Sequence, residues 1–402
     1  MKVGVYLIHG INLSTGGGIS YFEKLITTID KYNFDKELEI CFVGRLPNKK
    51  VYLKREYLKL SPSIIYKIFH FLSKIYVTKV LSRILFTDMD LCNRFDASFL
   101  RKSHVDLLLF PGQLFHEVSG FPFMTMNWDA GHKSTFMFPE FLDGFETREN
   151  WYRVEIQKAL AVIVESQNSK REFANYFGIS ENRIEVVPLF PGGVVDLTVK
   201  NELQNEILEK FNLNGFSYFY YPAQFWAHKN HYNLIIAFKK LVENNPNGNL
   251  RLVFTGSDKG NKEYILSTIK KYNLDREILV YGFVSNDEVY TLYKNAIALV
   301  MPTFLGPTNM PLLEARSLRT AVICSDLKGH RDLCEDGALY ADPTDPDQWY
   351  AAMHEVLNEN SRGELISKAD KVRATSVFDI QHAIKNLEKI FIKFIPIRKT
   401  FN

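Results

Sequence analysis

The sequence predicts an α/β protein of two doubly wound, Rossmann-like halves facing a cleft, with helices at the C-terminal end. Three observations predict it. In the first half, short Val/Ile/Leu/Phe runs alternate with longer amphipathic stretches. Around residues 192–216 that alternation breaks. It then restarts and runs on to about residue 325.

In the first half, strands are expected at 3–8, 38–43, 105–110, 123–127, 161–164 and 184–187. Several are near-continuous apolar runs, as parallel strands covered on both faces require. Helical stretches lie between them, as at 19–32 and 151–160. This is the rhythm of βαβ units. The break holds Gly192-Gly193, a polar periodic segment at 201–211, and Asn214-Gly215. A domain boundary is placed near Pro191 to Leu197. Beyond it, strands are expected at 218–221, 250–254, 278–281, 298–301 and 321–325. Helices at 233–244, 263–272, 286–294 and 311–318 separate them. The tail, 349–395, has apolar residues at helical spacing. The organisation expected is therefore 1–195, 196–375, and a helix in 376–402 packing back on the N-terminal domain. Open sheets of this type bind ligands at the carboxyl ends of their strands.

Composition restricts the function classes. The chain has 402 residues, 46% hydrophobic and 24% charged, the balance of a globular protein. A net charge of +3 is too small to make nucleic acid the main partner. Cys41, Cys92, Cys324 and Cys334 form no C-x-x-C pair and sit beside no spaced histidines, so free thiols in a reducing cytoplasm are expected. The first ten residues read as a core strand, being too short for a signal segment and lacking a small-residue cleavage site. No run of 18 uncharged apolar residues occurs, so no membrane-spanning helix is indicated.

Four segments carry chemistry. The loop Ser14-Thr15-Gly16-Gly17-Gly18-Ile19 follows the first strand and opens a helix. Glycines there allow close backbone approach, and the helix N-terminus favours a phosphate; a glycine-rich turn without a ligand is the alternative. The segment 221–231 (Tyr-Pro-Ala-Gln-Phe-Trp-Ala-His-Lys-Asn-His) follows a strand, and Lys229 there can meet a diphosphate as a point charge. The segment 301–315 runs from strand through a tight loop into a helix. Pro311 suits the first helical position, and Glu314 offers two acceptors to a pair of ribose hydroxyls, or else only complements the helix dipole. Finally, Asn127-Trp128-Asp129-Ala130-Gly131-His132-Lys133, followed by Phe138-Pro139-Glu140-Phe141, places Asp129 and His132 after the fourth strand as base or sugar ligand, or in a structural role.

Taken in this order, the segments resemble family 4 glycosyltransferases of the GT-B fold. The resemblance is strongest from Tyr221 to Asp345 and includes Phe254-Thr255-Gly256-Ser257, Tyr281-Gly282-Phe283-Val284, Ser325-Asp326-Leu327-Lys328-Gly329 and Glu335-Asp336-Gly337-Ala338. The stretch 162–170 resembles that family's end of the N-terminal sheet. The resemblance implies a retaining, metal-independent transfer of a hexose from a nucleotide-diphosphate sugar to a glycan hydroxyl, with no cofactor. Lys229 and backbone N–H groups near Thr308–Leu312 would stabilise the departing diphosphate. Glu314 would hold the ribose, and Gly282, Phe283 and Val284 would line the base pocket. The donor-binding set expected is Gly17, Gly18, His228, Lys229, Gly256, Gly282, Phe283, Val284, Gly306, Thr308, Asn309, Met310 and Glu314. Asp129, His132 and Lys229 are the expected catalytic residues.

Three positions depart from the family pattern. Gly306 stands where the first Glu of E-x7-E would contact the donor sugar. Ala223 stands where an Arg often precedes the lysine. Trp128 replaces the His of a His-Asp pair. They leave open a non-catalytic partner subunit, or a sugar-nucleotide epimerase of the same fold.

Residues 49–86 carry nine Lys/Arg against one acidic residue, Glu56, interleaved with aromatic and aliphatic side chains. Such a stretch suits peripheral contact with anionic lipid; an ordinary helix on the N-terminal sheet is the alternative. The tail 385–401 repeats the pattern more weakly. With Gly306-Pro307-Thr308-Asn309, which resembles a subgroup of that family, this predicts a bacterial enzyme of surface polysaccharide assembly, O-antigen or capsule, at the cytoplasmic face of the inner membrane and acting on a lipid-linked glycan.

Overall fold

The computed structural model describes residues 1–7, 17–45, 53–60, 96–112, 120–142, 144–245 and 248–400, with backbone alone for 17–19. Among these residues the chain forms two parallel sheets. The first contains β1 (Lys2–Leu7), β2 (Glu39–Gly44), β3 (Tyr57–Lys59), β4 (Leu107–Phe110), β5 (Phe123–Met126), β6 (Ala161–Val164) and β7 (Ile184–Val186), in the order β3-β2-β1-β4-β5-β6-β7. The second contains β8 (Ser217–Pro222), β9 (Leu250–Thr255), β10 (Ile278–Tyr281), β11 (Ala298–Met301), β12 (Ala321–Ser325) and β13 (Leu339–Ala341), in the order β10-β9-β8-β11-β12-β13. The order reverses beside β1 in one sheet and beside β8 in the other. At such switch points the loops diverge and leave a crevice.

The central strands follow from their composition. β4, β5, β6 and β11 are buried at all four positions. Helices cover both faces, so alternation of polar and apolar residues is not required. β3 and β13, which the apolar runs did not reveal, are three-residue edge strands. The segment read as a helix at 151–160 is a π turn, Trp151–Glu155, followed by a 3-10 turn, Ile156–Lys158. Trp151, Tyr152 and Ile156 are all buried. A widened turn brings side chains five positions apart toward one face, which an α-helix does not.

The chain crosses between halves through Pro191–Leu197. There Ser20, in the helix Gly17–Lys31, accepts a bond from the Gly193 N–H at 2.8 Å, and Lys24 pairs with Asp196 at 2.8 Å. The final helix, Ile380–Lys399, returns to the N-terminal sheet. Its Glu388 accepts from the Tyr32 hydroxyl (3.0 Å) and the Asp35 N–H (2.6 Å), and Lys393 pairs with Glu185. Its Ile390, Phe391, Phe394 and Ile395 are buried. These four serve the core rather than a surface-seeking face, while Ile392 and Ile397 of the same helix are exposed. The basic stretch 49–86 lies outside the described residues except for 53–60, where the Lys54 and Arg55 N–H groups donate to Asp30 (2.9 Å each). Cys41, Cys324 and Cys334 are free and buried.

Candidate functional site

Loops from the carboxyl ends of both sheets converge on one cleft, divided into two adjoining cavities that share Met310. The first, of about 340 Å³, is lined from the N-terminal half by Tyr21, Trp128, Asp129, Glu140, Arg148 and Glu165. His228, Lys229 and 305–310 face them across it. The second, of about 460 Å³, is lined chiefly by Thr255, Gly256, Phe283, Val284, Pro311 and Glu314, with Ser20 closing it from the first half.

Lys229 sits in a 3-10 turn, Ala227–Lys229, just after β8. The turn is held from several sides. Its Lys229 carbonyl accepts the Tyr221 hydroxyl at 2.9 Å, and its His228 carbonyl accepts the Phe304 N–H at 2.8 Å. Asn230 follows in the left-handed conformation (φ 59°), its amide donating to the carbonyls of Pro302 (2.9 Å) and Pro343 (2.7 Å). The side chain of Lys229 is thereby aimed by a fixed backbone. Burial pushes its pKa down to about 8, against the attraction of Asp129 and Glu140.

Glu140 couples the two halves. One carboxylate oxygen accepts from His228 Nδ1 at 2.5 Å and from the His228 N–H at 2.9 Å. Burial raises its pKa, but these bonds outweigh burial and hold it below the usual carboxylate value. Burial also lowers His228, with Glu140 opposing. A neutral imidazole donating from Nδ1 to an ionised Glu140 satisfies both partners.

The loop before the helix Met310–Ser317 is set by packing rather than by a capping side chain. The Asn309 amide meets His330 Nε2 at 2.8 Å, and His330 Nδ1 meets the Ser325 carbonyl at 2.9 Å. The carbonyl can only accept, so Nδ1 carries the proton and Nε2 accepts from Asn309. Burial holds His330 down at about 4, which keeps that arrangement neutral. Gly306 has φ 149°, and a Cβ on it would fall 1.8 Å from Asn309 Nδ2. Gly329 is packed as tightly, its Cβ position lying 1.6 Å from the Pro307 carbonyl.

Glu314 is buried, and its Oε2 accepts the Tyr293 hydroxyl at 3.1 Å. Its Oε1 lies 2.7 Å from where a Cβ on Gly192 would stand, so the interdomain linker needs glycine to pass. Burial raises Glu314 to about 7, opposed by the bonds from Tyr293 and the Gly192 N–H. Each oxygen keeps a second lone pair for a further donor. Gly256 also permits a close approach, a Cβ there falling 2.2 Å from the Ala223 carbonyl.

Most of the sequence-predicted residues thus lie around this cleft. His228, Lys229, Asp129, Gly306, Thr308 and Asn309 line the first cavity, Gly256, Phe283, Val284 and Glu314 the second, and Met310 both. Gly282 is an exposed neighbour whose carbonyl accepts the Gly256 N–H at 3.0 Å. Gly17 and Gly18 begin the helix Gly17–Lys31.

His132 is the exception. Its ring is 1% exposed, stacks on Tyr152 at 4.9 Å, and pairs through Nε2 with Glu149 at 2.9 Å. It lies outside the cleft lining because the short helix Gly131–Ser134 turns it into the aromatic core beneath. Replacing His132 by glutamine is expected to lower the melting temperature, at a cost of about 1–3 kcal/mol for the lost ring packing and the altered bond to Glu149, which keeps Lys133 and Arg153. It should leave the affinity for cleft ligands within about twofold. A tenfold loss of ligand affinity at unchanged melting temperature would overturn that placement.

Sequence reasoning passed over Glu165, Arg148, Tyr21 and His330. Tyr21 and Glu165 are marked only by burial on the cleft wall, Arg148 by its place on that wall, and His330 by its bond to Asn309, and no local pattern encodes these. Among the described residues, no group of three His, Cys, Asp or Glu side chains is placed to hold a metal ion.

Residues 204–372 match the family model described as Glycosyl transferases group 1. The chain is 23% identical over 235 residues to the O-antigen chain mannosyltransferase B of Escherichia coli, covering 58% of this chain and 61% of that protein. It is 25% identical over 230 residues to the O-antigen chain mannosyltransferase RfbU of Salmonella typhimurium, covering 56% and 58%. The matches thus span about three fifths of the length of these curated relatives. Among solved structures it resembles Anabaena HepE in complex with UDP and glucose, with TM-score 0.69, 13% identity, and 98% and 100% of the two chains covered. The fold is GT-B.

Proposed function

Residues 204–372 match the glycosyl transferases group 1 family, and from that match we propose that the chain transfers a hexose, with retention of configuration and without a metal ion, from a nucleotide-diphosphate sugar to a glycan acceptor in bacterial surface polysaccharide assembly. One observation carries the reading. The two cavities join at Met310, with the Lys229 ammonium in one and the Glu314 carboxyl in the other. A nucleotide-diphosphate sugar has that polarity, with a diphosphate at one end and a ribose diol and base at the other.

In this reading the nucleoside occupies the second cavity. Phe283 is 56% exposed there, which gives the base an apolar platform, and Glu314 accepts from the ribose hydroxyls. The diphosphate lies between Lys229 and the N-terminus of the helix Met310–Ser317, whose free N–H groups and dipole favour an anion. Arg148, on the opposite wall of the first cavity, supplies a second cation where Ala223 supplies none. The charge that develops on the departing diphosphate is met by groups already in place, which is the largest single contribution in most transfer reactions. Asp129 stands on the acceptor side as the candidate base. It already accepts from the Gly131 N–H at 2.9 Å, which fixes its orientation. The names of the two O-antigen relatives support the O-antigen reading; capsule belongs to the same proposal without that support. Work at the cytoplasmic face of a membrane, through the basic stretch 49–86, belongs to the same proposal. No helix among the described residues is long and apolar enough to cross a membrane.

Thermal unfolding with UDP, GDP and dTDP tests the donor reading. At a ligand concentration about 100 times Kd, linkage adds about 2.7 kcal/mol of stability. One of the three nucleotides is expected to raise the melting temperature accordingly, and stabilisation by none of them would sink the reading. A product assay then separates transfer from epimerisation, since an epimerase turns over donor without acceptor. Nucleotide binding with no turnover in the presence of a lipid-linked glycan would leave a non-catalytic subunit.

A further inference from the structure

Three polar atoms on one wall of the first cavity are buried and have no partner. They are the Tyr21 hydroxyl, Trp128 Nε1 and Glu165 Oε2. All three residues line that cavity. Tyr21 is 3% and Glu165 2% exposed. A buried polar group without a partner costs about 1–3 kcal/mol. A fold tolerates one such atom more readily than three around a single space, so the wall reads as one built to meet a ligand.

Glu165 is oriented from behind. It stands at the end of β6, and its Oε1 accepts from the Ser169 hydroxyl at 2.5 Å and the Ser166 hydroxyl at 3.4 Å. Both serines belong to the buried start of the helix Gln167–Phe177, where Ser166 also caps the Ser169 N–H. With Oε1 engaged as an acceptor, a proton on this carboxyl belongs on Oε2. Burial, with the serine bonds opposing, holds the group at about 8, so the proton is present at neutral pH. The wall therefore offers an O–H from Glu165, an N–H from Trp128, and a Tyr21 hydroxyl able to give or take.

The remaining surface is aromatic. Tyr21 stacks on Phe190 at 4.3 Å and meets Trp128 edge-on at 5.4 Å. Neutral donors beside flat apolar rings suit a polyhydroxylated ring, which has hydroxyls at its rim and C–H faces between them. None of these three groups carries the positive charge that a phosphate calls for; the cations of the cavity are Lys229 and Arg148. All three residues come from the N-terminal half, opposite Lys229 and 305–310.

We propose that Tyr21, Trp128 and Glu165 form the acceptor subsite, where Glu165 Oε2, Trp128 Nε1 and the Tyr21 hydroxyl bind the hydroxyls of a neutral sugar ring. The assignment rests on the donor reading above only for the word acceptor; saccharide binding at this wall stands or falls separately. Trp128 then has a role of its own, as one part of a donor triad.

The test is a titration of the methyl glycosides of mannose, glucose, N-acetylglucosamine and rhamnose into the full chain, with and without saturating UDP or GDP, read by saturation-transfer NMR. At least one glycoside is expected to bind. Tyr21→Phe, Trp128→Phe and Glu165→Leu, each confirmed as folded by thermal melting, should each weaken it by about tenfold, the loss of one hydrogen bond in a dry site. Glu165→Gln keeps a donor at the Oε2 position and should stay within about twofold of the wild type. Nucleotide affinity should be unchanged in all four. The proposal is overturned if no glycoside binds, in which case only water fills these bonds. It is equally overturned if the variants bind the glycoside as the wild type does, or if Glu165→Gln loses as much as Glu165→Leu. Failure of every nucleotide to bind overturns the donor reading instead, while the nucleotide-free titration still decides this one.

Discussion

Replacing Lys229 by methionine is expected to lower the transfer rate by roughly 100- to 1,000-fold, the loss typical of removing one fixed donor from a developing anion. It should also change the pH dependence of donor binding, and the direction follows from the two ends of the site. In the free protein, burial holds Lys229 at about 8. A diphosphate beside it favours the ammonium, so binding raises that value. Donor affinity is then full below about pH 8 and falls as pH rises above it, by at most about tenfold per unit. Glu314 works in the opposite sense. Burial holds it at about 7. Ribose hydroxyls donate to the carboxylate, so binding lowers that value. Affinity is full above about pH 7 and falls as the pH drops below it.

Together these give a bell with its summit between about pH 7 and 8. An intact nucleotide-diphosphate sugar is the right probe, because its diphosphate does not titrate in this range. Isothermal titration across about pH 5.5 to 9.5 should show both limbs in the wild type. Lys229→Met should lack the alkaline limb alone, and Glu314→Gln the acid limb alone. An alkaline limb that persists in Lys229→Met would remove Lys229 from the diphosphate. One that also vanishes in Glu314→Gln would mean that the two ends are not separate.

How much of this was legible in the sequence depended on what kind of information each feature needs. The strands that build the two switch points are dense apolar runs, LLLF at β4 and ALVM at β11, and a run of that kind states its own burial. β3, with the sequence YLK, and β13, with LYA, are too short to do so, and they exist because a neighbouring strand offers them hydrogen bonds. The π turn at Trp151 is invisible for a similar reason. Its residues have ordinary helical character, and only the demand that Trp151 and Ile156 reach the same core widens the turn.

The site divides in the same way. Lys229 and Glu314 stand at strand-to-helix junctions, which spacing reveals. His132 stands at such a junction too, yet a short helix turns it inward. Whether a loop histidine faces a cleft or a core is decided by what packs below it, here Tyr152 and Phe177. In the sequence, Glu165 is only one residue of the strand-end stretch 162–170. Its interest lies in an oxygen left without a partner, and a missing bond is a property of the whole fold.

Restoring a carboxylate at position 306 is expected to damage the enzyme rather than repair it. Compared with its family pattern, Gly306 looks like a lost sugar contact. Its backbone gives a different account. With φ 149° it holds a conformation that L side chains rarely adopt, and its Cβ position falls 1.8 Å from the Asn309 amide. Any side chain there strains the backbone by about 1–3 kcal/mol. It also displaces Asn309 from His330, at a further cost of about 1 kcal/mol for the broken bond. Asn309 precedes the helix Met310–Ser317, whose N-terminus faces the cleft, so a shift there misplaces the donors meant for the diphosphate. Gly306→Glu should therefore lower the melting temperature by several degrees and donor affinity by about tenfold or more.

Gly306→Ala separates backbone from charge. It has the same φ and the same Cβ but no carboxylate, and it should do nearly as much harm. Adding Asn309→Ala to Gly306→Glu removes the collision and leaves the strain, so the melting temperature should recover only in part. If alanine at 306 is tolerated and glutamate raises the transfer rate, the backbone account fails, and the glycine is a lost sugar contact after all.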